Sequence, residues 1–162
     1  MYIRDAKEDD LEKILEIYAS AREFQKQTGN PKQWAGGYPP LQVIKEDMAG
    51  NHCKVCVEDD EILGVFAFFT ESDPTYQIIY EGAWLNDRKY GTIHRIASSG
   101  VKKGVAAFCF QWAMEHGFQN VRIDTHEDNV VMQHVLDRNG FVYCGEIITG
   151  DGTMRRAYQK SV

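Results

Sequence analysis

Residues 92–117 read TIHRIASSGVKKGVAAFCFQWAMEHG, and the passage divides into three parts. TIHRIAS (92–98) alternates as a β-strand, SSGVKKG (98–104) is a small glycine-bearing loop, and the rest (105–117) has helical spacing. In that helix Val105, Phe108, Cys109 and Trp112 share one face, and Gly117 is its C-terminal stop. A helix entered through such a loop exposes unpaired N–H groups and the positive end of its dipole. A glycine in the loop lets an anion approach that backbone closely. Lys102 and Lys103 oppose the dipole, at a cost of a few tenths of a kcal/mol, which makes sense if a polyphosphate sits there. An ordinary strand-to-helix turn with solvated lysines is the competing reading.

Downstream, VRIDTHEDNVVMQHVLDRNGFVYCG (121–145) repeats the alternation of strand and helix. It predicts a strand over 121–125 and a helix over 129–140, then strands over 141–148 and 154–160 joined by the turn GDGT. The six polar residues DTHEDN (124–129) sit where neither a core nor a plain turn would want them, and Asp128 is the natural N-cap of the helix. Upstream, YIR (2–4) is a short strand, and Leu11, Ile14, Leu15 and Tyr18 form one face of a helix. A second helical piece over 21–28 ends at Gly29-Asn30-Pro31, and QWAGGYPP (33–40) is irregular. A short helix (41–50) then leads to a hairpin of strands 52–59 and 62–70. Within 71–90, QIIYEGAWL reads as an added strand or as loop. The order is βααββ-β-α-β-α-ββ, an α/β (α+β) fold with a mixed sheet in one domain over residues 1–162.

Composition narrows the function. The chain has 162 residues, 43% hydrophobic, enough for one core that buries roughly 70% of the unfolded surface. A net charge of −6 without a basic block argues against nucleic acid as partner. No run approaches the ~18–20 apolar residues of a membrane span, and the N-terminus lacks a leader pattern, so no membrane partner and a cytoplasmic location are expected. Cys53-Lys-Val-Cys56 has CxxC spacing, but a strand carries the two thiols on opposite faces. A metal set of His126, Glu127, Asp128 and His134 would require consecutive residues to converge on one ion, so no metal is expected.

HRIASSGVKKGVAAFCFQWA followed by RIDTHEDNVVMQHVLDRNGF resembles the GNAT superfamily of acyl-CoA-dependent N-acyltransferases. Its turn of the form Q/R-x-x-G-x-G/A corresponds to Val101-Lys-Lys-Gly104-Val-Ala106, and its second motif to Asn129 through Gly140-Phe141. The resemblance covers essentially the whole chain. It implies a splayed central sheet, with strands 92–98 and 121–125 diverging around the pantetheine arm of acetyl-CoA. Ile96, Ala97 and Ser98 would then be its backbone partners. The amides of Lys102, Lys103, Gly104, Val105 and Ala106 would hold the pyrophosphate, and Asn129 and Met132 would contact the cofactor. Two positions depart from the family pattern. Val101 stands where Gln or Arg usually opens the turn, and Leu136 where a Tyr often protonates the leaving thiolate.

The resemblance implies transfer of an acetyl group to a primary amine by direct attack, with a homodimer expected by family habit. A catalytically inert acyl-CoA-binding sensor on the same fold is the alternative. His94 is the leading base, since alternation sets Thr92, His94, Ile96 and Ser98 on one face and Arg95 on the other. A histidine satisfied inside the sheet is the plainer reading. Glu81 is a second candidate base or a recruiter of a cationic amine, set against an exposed loop glutamate. Tyr143 is a candidate replacement acid, set against a half-buried strand tyrosine. Trp34, Tyr38, Tyr80 and Trp84 are candidates for a substrate wall, with core packing or a dimer contact as the other readings, and His126 faces substrate or solvent. A small-molecule amine is the expected acceptor.

Overall fold

A computed structural model describes residues 1–162. Seven strands form one sheet in the order β1-β2-β3-β4-β5-β7-β6. They are β1 (Tyr2–Asp5), β2 (Cys53–Glu58), β3 (Glu61–Phe69), β4 (Gly91–Ser98), β5 (Asn120–Thr125), β6 (Val142–Ile148) and β7 (Met154–Ser161). Four helices cover it: α1 (Leu11–Gln27), α2 (Leu41–Ala49), α3 (Val105–His116) and α4 (Val130–Arg138). Every pairing is antiparallel except β4 with β5, so the sheet is mixed, as expected. No helix is long and apolar enough to cross a membrane.

Each face of the sheet has its own core. On one, Phe66, Phe68 and Ile93 pack with Cys109, Phe110 and Met114 of α3 and Leu136 of α4. On the other, Val55, Val65 and Ala97 pack with Ile14, Ile17 and Tyr18 of α1 and Ile44 of α2. Cys53 and Cys56 fall in different cores, because three residues along a strand reverse the face. A third cluster of Tyr76, Tyr90, Ile147 and Ala157 lies under the segment between β3 and β4.

Three local expectations change. The first helix is continuous through Gln27, because nothing between 21 and 27 breaks it. QIIYEGAWL adds no strand: after a 3-10 turn (Pro74–Tyr76) the chain meets β6 through one isolated bridge, Tyr80 to Glu146, and a hydrogen bond from the Ala83 amide to the Cys144 carbonyl at 3.0 Å. There Gly82 lies so close to β6 that a Cβ would stand 1.9 Å from the Cys144 carbonyl oxygen. The N-cap of α4 is Asn129 rather than Asp128, its side chain accepting from the Met132 amide at 3.1 Å.

Candidate active site

The parallel ladder between β4 and β5 runs only from Gly91↔Val121 to Ile93↔Ile123, although β4 continues to Ser98 and β5 to Thr125. Beyond Ile93 the two strands diverge and leave a wedge. A β-bulge in β4 helps turn it away: against β3, Ala67 pairs with His94 and Val65 with Ala97, so β4 carries one extra residue. Arg95 takes up the distortion at φ 52°. It is held there at both ends. Tyr18 Oη donates to the Arg95 carbonyl at 2.8 Å, and the guanidinium forks onto buried Asp47 at 2.8 and 2.8 Å.

The bulge overturns simple alternation. Ile96 packs toward α3, whereas His94 and Arg95 stay together on the α1–α2 side, 5.7 and 5.9 Å from the Phe69 ring. Beyond the bulge, the Ser99 amide donates to Leu63 of β3 at 2.9 Å. Period-two alternation then turns the Ala97 N–H toward β3 as well, and those of Ile96 and Ser98 toward the wedge.

A cavity of about 500 Å³ occupies the divergence. Ile93 to Ile96 form one wall, Ile123 to Thr125 with Asn129 and Met132 the other. Trp34 and Tyr38 reach it from the α1–α2 loop, Asp73 and Thr75 from the β3–β4 segment, and Asp151 and Arg155 from the β6–β7 hairpin. Gln33 ties the loop to the far wall, its Oε1 accepting from Asn129 Nδ2 at 2.9 Å and Thr125 Oγ1 at 3.4 Å.

His94 sits between two carboxylates. Its Nε2 is 2.6 Å from Asp73 Oδ2, and its Nδ1 is 3.8 Å from Asp124 Oδ1. Asp73 is fixed by its own turn, accepting from the Thr75 amide at 2.8 Å and hydroxyl at 2.6 Å. Burial pushes its acidity the other way, yet the hydrogen bonds from His94 and Thr75 hold its pKa down at about 2. Asp124 accepts from Tyr76 Oη at 2.6 Å, and burial, then the Asp124 charge, pushes that phenol well above its ordinary range. With Asp73 ionised and bound to Nε2–H, the Nδ1 lone pair is the free one and can take a proton.

At the far end of β4, Gly104 adopts φ 85° as the N-cap of α3. The amides from Lys102 to Ala107 donate to no acceptor of the protein and are free to receive an anion. Lys102 is paired with Glu58.

Other candidates from the sequence lie elsewhere. Tyr143 is on the outer strand β6, where its hydroxyl donates to Glu146 at 2.9 Å; burial, then that carboxylate, pushes its pKa to about 12. Glu81 and Tyr80 are exposed beside β6 and line no part of the cavity. Trp84 stacks on Arg122 at 4.2 Å and donates to the Tyr76 carbonyl at 2.9 Å, as core packing. His126 turns back on its own loop, its Nδ1 accepting from the Asp128 amide at 3.0 Å. Asn129 spends its side chain on the α4 cap and on Gln33. No group of three or more His, Cys, Asp or Glu residues is arranged to hold a metal ion. Asp73, Asp124 and Arg155 escaped the sequence reading. Asp73-Pro-Thr carries a turn signature that marks Asp73 as a cap, and Asp124 opens the polar stretch whose purpose was in question.

The Acetyltransferase (GNAT) domain family matches residues 1–142. A GNAT-family acetyltransferase of Streptococcus agalactiae 2603 is 35% identical over 99% of this chain and 95% of its own, with a TM-score of 0.90. One of Listeria monocytogenes 4b F2365 is 20% identical over 99% and 94%, with a TM-score of 0.71. A ribosomal-protein-alanine N-acetyltransferase of Brucella melitensis is 14% identical over 100% of both chains, with a TM-score of 0.67. These last two show the shared fold alone. No curated protein sequence matches. The turn into α3, the divergent strands and these likenesses agree: the chain belongs to the GNAT acetyltransferase family.

Proposed function

We propose that this protein is an N-acetyltransferase that moves an acetyl group from acetyl-CoA to the primary amine of a small molecule. The observation that carries the reading is His94, held by Asp73 at 2.6 Å, in a wedge that opens where the β4–β5 ladder stops. The chain's groups fit the donor. The cradle of free amides after Gly104 suits a pyrophosphate, and the open edge of β4 suits a pantetheine arm. Acetyl-CoA supplies the acetyl thioester.

His94 Nδ1 takes the proton the amine must lose, and Asp73 keeps the ring oriented and its charge compensated. Asp124, 3.8 Å from Nδ1, adds to that compensation. The N–H of Ile96 or Ser98, on the wedge side of β4, is the donor available to polarise a carbonyl. Trp34 and Tyr38 form the apolar wall on the acceptor side. Leu136 is wholly buried in the α3–α4 core and offers no proton, so the leaving thiolate takes one from water or another donor. The Brucella neighbour is named for a ribosomal-protein alanine as its acceptor, and at 14% identity that choice does not transfer.

The test is thiol release from acetyl-CoA across a panel of amines, wild type against His94→Ala, over roughly pH 6–9. Turnover that the variant loses mainly below about pH 8 supports the reading. Calorimetric binding of coenzyme A without turnover on any amine would replace it with the sensor, and no binding would overturn both.

A further inference from the structure

We infer that the acceptor amine carries a carboxylate and that Arg155 receives it. The inference rests on the acyl-transfer reading and names the substrate class of the same cavity. Arg155 is only 8% exposed and lines the cavity from the start of β7. Its Nη1 donates to Thr153 Oγ1 at 2.6 Å and to the Met154 carbonyl at 3.2 Å. Nε and Nη2 have no partner in the protein, and neither is sealed from solvent. No carboxylate forms an ion pair with this arginine.

Of the other cavity charges, Lys32 is exposed to solvent and the rest are already engaged. Arg95 is satisfied by Asp47, Asp73 by His94, and Asp124 by Tyr76. Asp151 is turned into its own hairpin, accepting from the Thr153 amide at 3.0 Å and hydroxyl at 2.6 Å. A buried guanidinium with a free edge facing a cavity is costly unless an anion arrives. Its planar fork matches a carboxylate.

The anion belongs to the acceptor and not to the pyrophosphate. Tyr158 packs in the α3–α4 core, whereas Ala157 packs with Tyr76 and Tyr90 on the opposite face. Alternation puts Arg155 with Ala157, across the sheet from α3 and its amide cradle. Asp124 pairs with Ala157, so Arg155 lies one strand over and about 7 Å along from the carboxylate beside His94. His94 and Arg155 thus line one cavity on the same side of the sheet, which suits a single small molecule that bears both an amine and a carboxylate.

The experiment compares free L-amino acids with amines that lack only the α-carboxylate, for wild type, Arg155→Met and Arg155→Lys, with melting curves as the folding control. Wild type is expected to favour the carboxylated partner ~10–100-fold in kcat/KM. Arg155→Met should abolish the preference through KM, with the decarboxylated amines changed far less than their carboxylated partners, and Arg155→Lys should keep part of it. Turnover with no carboxylate preference in wild type overturns the inference and leaves the acyl-transfer reading intact. So does an equal loss on both classes in a folded variant. No turnover on any amine overturns both.

Discussion

Asp73 and His94 come from segments 21 residues apart and meet at 2.6 Å. Asp73 is anchored by Thr75 and, through its amide, by Tyr90 Oη at 3.0 Å, so the carboxylate is a fixed post against which the imidazole is set. Asp73→Asn keeps the shape and removes the charge. It should lower kcat by ~10–100-fold with KM little changed, read by steady-state kinetics, whereas a purely structural role would act through stability alone.

The same carboxylate gives a pH signature. Its folded pKa of about 2 lies below the ordinary 3.8, so its contribution to stability is complete above about pH 4 and is lost as pH falls through about 2. Chemical denaturation of wild type and Asp73→Asn should show a gap that closes as pH falls from about 4 toward about 2. A gap that stayed open through that window would contradict the pairing.

Arg95 is the keystone of the β4 bulge. Replacing it with Met strands Asp47, which is 7% exposed, and should cost about 3–5 kcal/mol. The melting temperature should fall on the order of 10 °C. Removing Asp47 as well should recover part of that loss, which a double-mutant cycle measures.

Gly104 has open space where a Cβ would go, so Gly104→Ala tests the φ 85° backbone and not a clash. About 1–2 kcal/mol of strain is expected there. Reorientation of the amide cradle should weaken coenzyme A binding by roughly tenfold in calorimetry.

Tyr143→Phe should change turnover less than about twofold, because its hydroxyl lies against Glu146 on β6, outside the cavity. A large loss of kcat would restore it as the proton donor.

The strand–turn–helix of 92–117 was legible because each part has a distinct period, and Gly104 marks the turn. The order of all eleven helices and strands followed from the same signals. Alternation failed at Arg95, since a bulge is a tertiary adjustment that leaves no mark in local composition. The site was only partly legible for a related reason. His94, Trp34 and Tyr38 could be singled out by chemistry, but Asp73 and Arg155 become cavity residues only when the β3–β4 segment and the last hairpin fold back over the sheet. Tyr80, Glu81 and Tyr143 were attractive for what they are, and the path of the chain along β6 takes them away.

All four cysteines are buried, at 3%, 0%, 1% and 7% exposure, and burial pushes the Cys53 thiol up to about 12 and that of Cys144 upward. A thiol-reactive dye therefore finds almost nothing to colour on the native chain, and any signal above baseline belongs to the coenzyme set free. Let the chain unfold and four sulfurs per molecule join the reaction at once. A steady colour change then reports turnover, and a sudden step reports collapse, so one cuvette separates a variant that has lost its chemistry from one that has lost its fold.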